Sequence, residues 1–162
     1  MQPRSPGPIS AAVEVLGDRW TLLVLSDVIF SDRRFFRALL TGSAEGIASN
    51  ILADRLKRLL DAGILTRGTA ARGQRARFSL TEAGIATLPI ICALGDWGLQ
   101  WRSGSAGLRA RQQLIREGGP AFIEELMDEL RVRHLGAPST RDDGPDPFER
   151  LDAAAREAPD SA

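Results

Sequence analysis

One cysteine and one histidine in 162 residues close off much chemistry at once. A lone Cys92 cannot form a disulfide within the chain, so no disulfide framework is expected. A lone His134, set on an apolar helical face, is expected to pack rather than ligate or catalyse. There is no Gly-rich phosphate-binding loop and no carboxylate–histidine cluster with metal-ligand spacing. The acidic pairs Glu124-Glu125 and Asp142-Asp143 are adjacent in sequence and do not converge on a point. No catalysis, metal or cofactor is therefore expected. Long apolar runs are missing too. The longest, around Trp20 to Phe30, is interrupted by Ser26 and Asp27 and is too short to span a bilayer. Met1–Pro6 has no apolar stretch of the kind a signal peptide needs. A cytoplasmic protein without membrane contact is expected.

What is present is enough apolar material for a core, 43% of residues, in a length that suits one domain with an extension. Net charge is zero, which hides a division. Residues 1–104 carry 13 Lys+Arg against 9 Asp+Glu, whereas residues 105–162 carry 8 against 12. A local patch rather than total charge is what attracts a polyanion, so the first part is where a basic surface would lie.

The segment Ile51–Leu65 carries the most information. Leu52, Leu56, Leu59 and Leu60 share one face of a helix predicted over 48–62, and Asn50, Asp54, Lys57 and Arg58 share the other. Gly63 supplies a left-handed stop, and Ile64-Leu65-Thr66-Arg67 starts a strand. The run Gly68–Arg75, empty of large apolar residues, precedes the alternating Ala76-Arg77-Phe78-Ser79-Leu80. That is a hairpin with Arg72 and Arg75 at its tip and Arg67 and Arg77 on its strands. Guanidinium groups on a flexible tip suit phosphate contact or a minor groove. Upstream, 33–40 reads as a short helix capped by Ser31 or Asp32, with Phe35 or Phe36 and Leu39 inward and the arginines outward. Thr41–Gly46 is then the turn, its two glycines permitting positive φ. A short helix, a turn, a basic amphipathic helix and a hairpin are the parts of a winged helix-turn-helix.

Gly7-Pro8-Ile9-Ser10, Leu16-Gly17-Asp18-Arg19-Trp20-Thr21-Leu22-Leu23, Leu52-Ala53-Asp54-Arg55-Leu56, Gly63-Ile64-Leu65, Leu80-Thr81-Glu82-Ala83-Gly84 and Leu94-Gly95-Asp96-Trp97-Gly98 resemble the HxlR-type winged-helix transcriptional regulators, relatives of the MarR group. The resemblance covers about residues 7–102. It implies a bacterial, cytoplasmic homodimer on a pseudo-palindromic operator, with the first and last helices of the domain at the dimer interface. Oxidant-sensing members place a Cys before the Pro of the N-terminal motif, where this chain has Gly7, so thiol sensing is not expected. The recognition helix, often opened by Ser in the family, begins here at Ala48, with Ser49 as the alternative cap.

The expected fold class is mainly α with a small β-hairpin wing. Helices are predicted over about 9–16, 18–30, 33–40, 48–62 and 82–102 around a wing at 64–80. Asp18 caps the second helix, whose Trp20, Leu22, Leu23, Leu25, Val28 and Ile29 are apolar nearly all round and mark the core. Thr81 caps the long helix and Pro89 kinks it. Ile90, Leu94, Trp97 and Trp101 form a stripe along it that favours pairing with a second subunit, joined there by Ile9 and Val13 of the first helix. Ser103–Gly107 is a linker. Leu108–Glu117 and a helix from Pro120 to Leu135 make a helical extension over 103–136, with Phe122, Ile123, Leu126, Met127, Leu130 and His134 on one face. Residues 137–162 are expected to be a mostly disordered acidic tail, with a short helix at Phe148–Glu157 as an alternative.

The functional expectation is a sequence-specific DNA-binding repressor, since occluding an operator needs no polymerase-contacting surface. Ser49, Asn50, Ala53, Asp54 and Lys57 would face the major groove, with Asn50 pairing to adenine and Lys57 reaching guanine or a phosphate. Arg33, Arg34, Arg55, Arg58, Arg72, Arg75 and Arg77 would hold the backbone. A small apolar effector beneath the C-terminal helices is one further partner. The competing reading is a winged-helix protein-interaction module that has lost DNA binding.

Overall fold

Leu25, Val28 and Ile29 expose no more than 1% of their surfaces, and the first half of the chain is assembled around them. They lie on α2 (Arg19–Ser31), which follows α1 (Pro8–Leu16) and precedes α3 (Phe36–Gly42) and α4 (Ser49–Asp61). Then come β1 (Leu65–Arg67), β2 (Phe78–Leu80), α5 (Glu82–Ile85), α6 (Leu88–Trp101), α7 (Ala106–Leu135) and α8 (Pro147–Glu157). The structure, a computed structural model, describes residues 7–159. Met1–Pro6, read above as lacking a signal sequence, and residues 160–162 of the expected tail lie outside the described residues. The chain divides after Gly84 into two compact units. That is earlier than the boundary expected near residue 102, because α6 packs with α7 and so belongs to the second unit.

In the first unit α4 packs on α2, α3 and β1. Leu39, Ile47, Leu52, Leu56, Leu59, Leu65, Phe78 and Leu80 complete the core around α2. Each has left water for a close-packed interior, which stabilises the unit by about 2 kcal/mol per large side chain before chain entropy is counted. Asp18 caps α2 as expected, accepting from Thr21 N–H at 2.9 Å. The α2 stripe is narrower than its composition suggests: Trp20, Leu22 and Leu23 are only half-buried, while Thr21 and Val24 are buried. One neighbouring layer covers one face of a helix, and here that layer is α4 and α3. The two strands pair antiparallel, with Leu65 opposite Leu80 and Arg67 opposite Phe78. The unit is thus mostly helical with one two-stranded hairpin.

α3 begins later than expected. Asp32 does not cap it; at φ 47° Asp32 instead ends α2 in the left-handed region. Arg33 and Arg34 precede the helix, whose N-cap is Phe35 with no side-chain bond. The reason is a competing backbone bond: Phe78 N–H donates to Arg34 O at 2.7 Å, holding that stretch against β2. Phe35 and Phe36 each keep 37% of their surface exposed, so only Leu39 of the expected trio is buried. Of the two turn glycines, Gly46 has positive φ, whereas Gly42 closes α3, where any Cβ would collide with the Arg33 guanidinium.

The expected single helix over 82–102 is two. Thr81 Oγ1 accepts from Gly84 N–H at 3.1 Å and starts α5, but regular helix lapses before α6 resumes at Leu88. Pro89 lacks an N–H and cannot support the preceding turn. In the second unit Leu88, Cys92, Ile115, Phe122, Leu126, Met127 and Leu130 are buried, and α7 packs against both α6 and α8. α7 runs on from the expected linker, capped by Ser105, and kinks at Gly119 (φ 62°, ψ −157°) just before Pro120. The segment expected to be mostly disordered is only partly irregular. Asp146 caps α8, accepting from Phe148 N–H at 2.7 Å. Phe148 and Leu151 are then buried, as an i, i+3 pair on a helix packed against α7. None of the helices is long and apolar enough to cross a membrane, among the described residues.

Candidate nucleic-acid interface

α4 owes its orientation to three leucines. Leu52, Leu56 and Leu59 are at most 3% exposed, which turns Ser49, Asn50, Ala53, Asp54, Lys57 and Arg58 to solvent. Its N-terminus is weakly capped: Ala48 is the N-cap, no side chain bonds there, and Ser49 is already helical. Free N–H groups at an exposed helix start attract anions. The C-terminus is tightly closed. Gly63 (φ 71°) donates to Leu60 O and Ile64 donates to Leu59 O, the paired bonds of a Schellman stop. The chain leaves directly into β1.

Charges on the outer face of α4 form a ladder. Arg58 reaches Asp54 at 2.9 Å, and Lys57 reaches Asp61 at 2.6 Å. These exposed pairs are worth little to stability, so a DNA phosphate can exchange for either carboxylate at small cost. The Asp61 carboxylate raises the Lys57 pKa, which keeps the amine protonated.

Two residues expected to hold a DNA backbone are engaged elsewhere. Arg55 is only 18% exposed and grips Asp18, through Nε at 2.6 Å and Nη2 at 3.2 Å, while Nη1 meets Asp54 at 2.5 Å. The Arg55 bond, with help from Thr21, lowers the Asp18 carboxyl to about 2. Arg55 therefore locks the recognition helix to the start of α2. Arg34 is 3% exposed; its Nε donates to Phe78 O at 2.9 Å and its Nη2 to Ser79 Oγ at 2.5 Å. It ties the α2–α3 connection to the wing from beneath. Both corrections have one cause: a helix-periodic pattern shows which residues point away from their own helix, not what the next element brings over them. Arg33 is half-buried and paired with Asp27 at 2.9 Å.

The wing keeps its arginines open. Arg67, Arg72, Arg75 and Arg77 are all exposed, and none has an ion-pair partner among the described residues. At the tip, Gln74 N–H donates to Ala71 O at 2.9 Å around Gly73 at φ 85°. Gly68 N–H donates to Arg77 O at 2.8 Å and extends the ladder toward the tip. Between the wing, α3 and α4 lies a recess of about 560 Å³, lined among others by Phe36, Arg37, Lys57, Arg67, Arg75 and Phe78. Arg37, at the start of α3, was not singled out from sequence; its place beside the aromatic pair of that helix was the available signal.

The residues expected at a dimer contact are all open to solvent within their own units. In the first unit α1 buries no residue, and Ile9 and Val13 are 81% and 57% exposed. In the second, Ile90, Leu94, Trp97 and Trp101 range from 45% to 60%. Cys92, by contrast, is 3% exposed, and burial pushes its thiol up to about 11.

A helix, a turn ending at a left-handed glycine, an amphipathic second helix and a two-stranded hairpin define a winged helix-turn-helix. The family model for the HxlR-like helix-turn-helix matches residues 15–106, and the chain belongs to that family. It is similar to an uncharacterized HTH-type transcriptional regulator of Mycobacterium tuberculosis strain H37Rv, 34% identical over 91 residues that make up 56% of each protein. The match thus spans little more than half of that relative's length. YvaP of Bacillus subtilis, another uncharacterized HTH-type transcriptional regulator, is 28% identical over 56% of this chain and 82% of its own. Among solved structures, PA1607, described as a candidate transcription factor, superposes with a TM-score of 0.56 at 29% identity, covering 62% of this chain and 69% of that one.

Proposed function

We propose that the protein is a DNA-binding transcriptional regulator, a cytoplasmic homodimer that represses by occupying a pseudo-palindromic operator. The observation that carries the reading is the wing: four exposed arginines, without carboxylate partners among the described residues, stand beside a helix whose outer face is polar and weakly capped at its start. In this arrangement Ser49, Asn50, Ala53, Asp54 and Lys57 enter the major groove, and Arg58, Arg72, Arg75 and Arg77 hold phosphates. Arg33 can join them at the cost of its Asp27 partner. Family membership and the regulators it resembles support the same role. No polymerase-contacting surface is needed for occlusion, which favours repression. The exposed stripes on α1 and α6 support the dimer, because soluble proteins rarely leave such patches uncovered.

Fluorescence anisotropy on DNA from the chain's own promoter region tests the reading. Asn50→Ala is expected to cost about 1–3 kcal/mol on the preferred operator and little on random DNA. Equal binding to every sequence would remove the operator from the reading, and no binding even at low salt would return the protein to the interaction-module reading. Light scattering should give twice the 17.5 kDa chain mass, and a clean monomer would sink the dimer.

A further inference from the structure

Two carboxylates stand on the exposed face of α4, Asp54 and Asp61, and they are held differently. Asp61 pairs with Lys57, whose side chain is 75% exposed and free to swing away. Asp54 is buttressed. Its Oδ2 accepts from Arg55 Nη1 at 2.5 Å and meets Arg58 Nε at 2.9 Å. Arg55 is in turn anchored through its other two nitrogens to both oxygens of Asp18, at 2.6 and 3.2 Å, and is only 18% exposed. When the exposed Arg58 turns to a phosphate, Arg55 still holds the Asp54 carboxylate in place. Asp54 Oδ1 has no partner among the described residues, on a side chain that keeps 47% of its surface open. The result is a fixed acceptor one helical turn beyond Asn50 on the exposed face.

An ionised carboxylate only accepts hydrogen bonds. Most major-groove edges are wrong for it: guanine shows N7 and O6, and thymine shows O4, all acceptors. Adenine sets its amino group beside the N7 acceptor, whereas cytosine offers its N4 amino group with no acceptor on the same edge. A carboxylate brought among phosphates is also penalised wherever it gains no donor, so it rejects wrong bases as well as selecting a right one. We propose that Asp54 is a specificity-determining residue: its Oδ1 accepts from the N4 amino group of a cytosine in the bound site, with Arg55 and Asp18 as positioning residues behind it. This rests on the DNA-binding reading above and adds to it one base that the site must contain. Arg55, tied down and lost to the phosphates, serves the reading of sequence instead.

The full chain is used to select duplexes from a randomised library, and the enriched site is then measured base by base by fluorescence anisotropy. One position is expected to require cytosine, with replacement of that C·G pair by T·A weakening binding about tenfold. Asp54→Asn, whose amide donates as well as accepts, should bring that ratio to within about twofold and leave discrimination at the other positions as it was. Arg55→Lys keeps the charge but not the fork that grips Asp18 and Asp54 together, and it should reduce the ratio about threefold. Asp18→Asn, which loosens Arg55 from the other side, should act in the same direction. Circular dichroism checks that each variant is folded. A purely structural role for Arg55 would weaken binding to every sequence alike and keep the tenfold ratio, which overturns the positioning claim. An enriched site with no cytosine requirement, or a requirement that survives Asp54→Asn, overturns the assignment and leaves the regulator reading intact. Tighter binding of Asp54→Asn to all duplexes with the preference unchanged overturns it too, since the carboxylate would then only repel. Enrichment of no sequence at all overturns the assignment and the sequence-specific reading together.

Discussion

The two units treat arginine differently. In the second, arginine is mostly paired: Arg116 with Asp96, Arg131 with Glu124 and Asp128, Arg133 with Glu129 and Asp146, Arg141 with the same two, and Arg150 with Glu125, while Arg109 is held by the carbonyls of Leu99 and Arg102 and Arg156 is exposed. Arg150 and Arg133 also lie over the rings of Phe122 and Phe148. There the charge is spent on joining α7, α8 and the segment between them. In the first unit Arg19 and Arg58 form exposed pairs with Glu45 and Asp54, and the other described arginines fall into two sets. Arg33, Arg34 and Arg55 are tied to Asp27, to the wing backbone and to Asp18, and are at least half-buried. Arg37, Arg67, Arg72, Arg75 and Arg77 stand open. Charge content alone does not distinguish a binding surface from a structural one. The distinction is whether a carboxylate or carbonyl of the same chain already satisfies the guanidinium.

The largest expected effect tests the open set. Arg72→Ala with Arg75→Ala removes about four phosphate contacts from a dimer, so log K against log[salt] should become shallower by ~3.6 units, at ~0.9 per contact. The paired variant Arg131→Ala with Arg150→Ala should leave that slope where it was. If both pairs change it equally, the comparison between units fails. Next in size is the tied set. Arg34→Ala strips the donors from Phe78 O and Ser79 Oγ in a buried place and should cost about 2–3 kcal/mol of stability in urea denaturation. Arg75→Ala should stay within ~0.5 kcal/mol in the same measurement.

A smaller effect follows from Asp18. Its carboxyl lies at about 2 in the folded protein against the ordinary 3.8. A lowered folded value means the stabilisation is complete above the unfolded value and is lost as pH falls from about 4 toward 2. Since Asp18 is a third exposed, solvent screening limits the gain to about 1 kcal/mol. Asp18→Asn should therefore be less stable than the parent at neutral pH, and the gap should narrow through that window. A gap constant from pH 6 to pH 2 would mean that capping, not charge, is what Asp18 contributes. The smallest effect is at Cys92, whose thiol sits at about 11. A disulfide reagent at pH 8 should label it only on unfolding, and peroxide should leave DNA binding untouched. Fast labelling of the native protein would place Cys92 in an open environment.

Local pattern determined most of what is periodic. The leucine spacing of α4, Gly63 as its stop, the alternating Phe78-Ser79-Leu80 and the cap at Asp18 are all encoded within a few residues, and the structure has each of them in place. The openness of the Arg72–Arg77 stretch was legible too, because no apolar residue there can anchor it. What the tertiary structure decided is the fate of groups whose partners lie far along the chain. Arg34 meets Phe78 and Ser79 across 44 and 45 positions, and Arg55 meets Asp18 across 37. Glu129, an acidic residue of α7, is 6% exposed because Arg133 and Arg141 cover it. α8 likewise forms in a stretch whose composition favours disorder, since Phe148 and Leu151 find α7 to pack against. Helical periodicity tells which side of an element is polar; only folding brings the opposite charge or the covering surface that turns a polar side chain from solvated to structural.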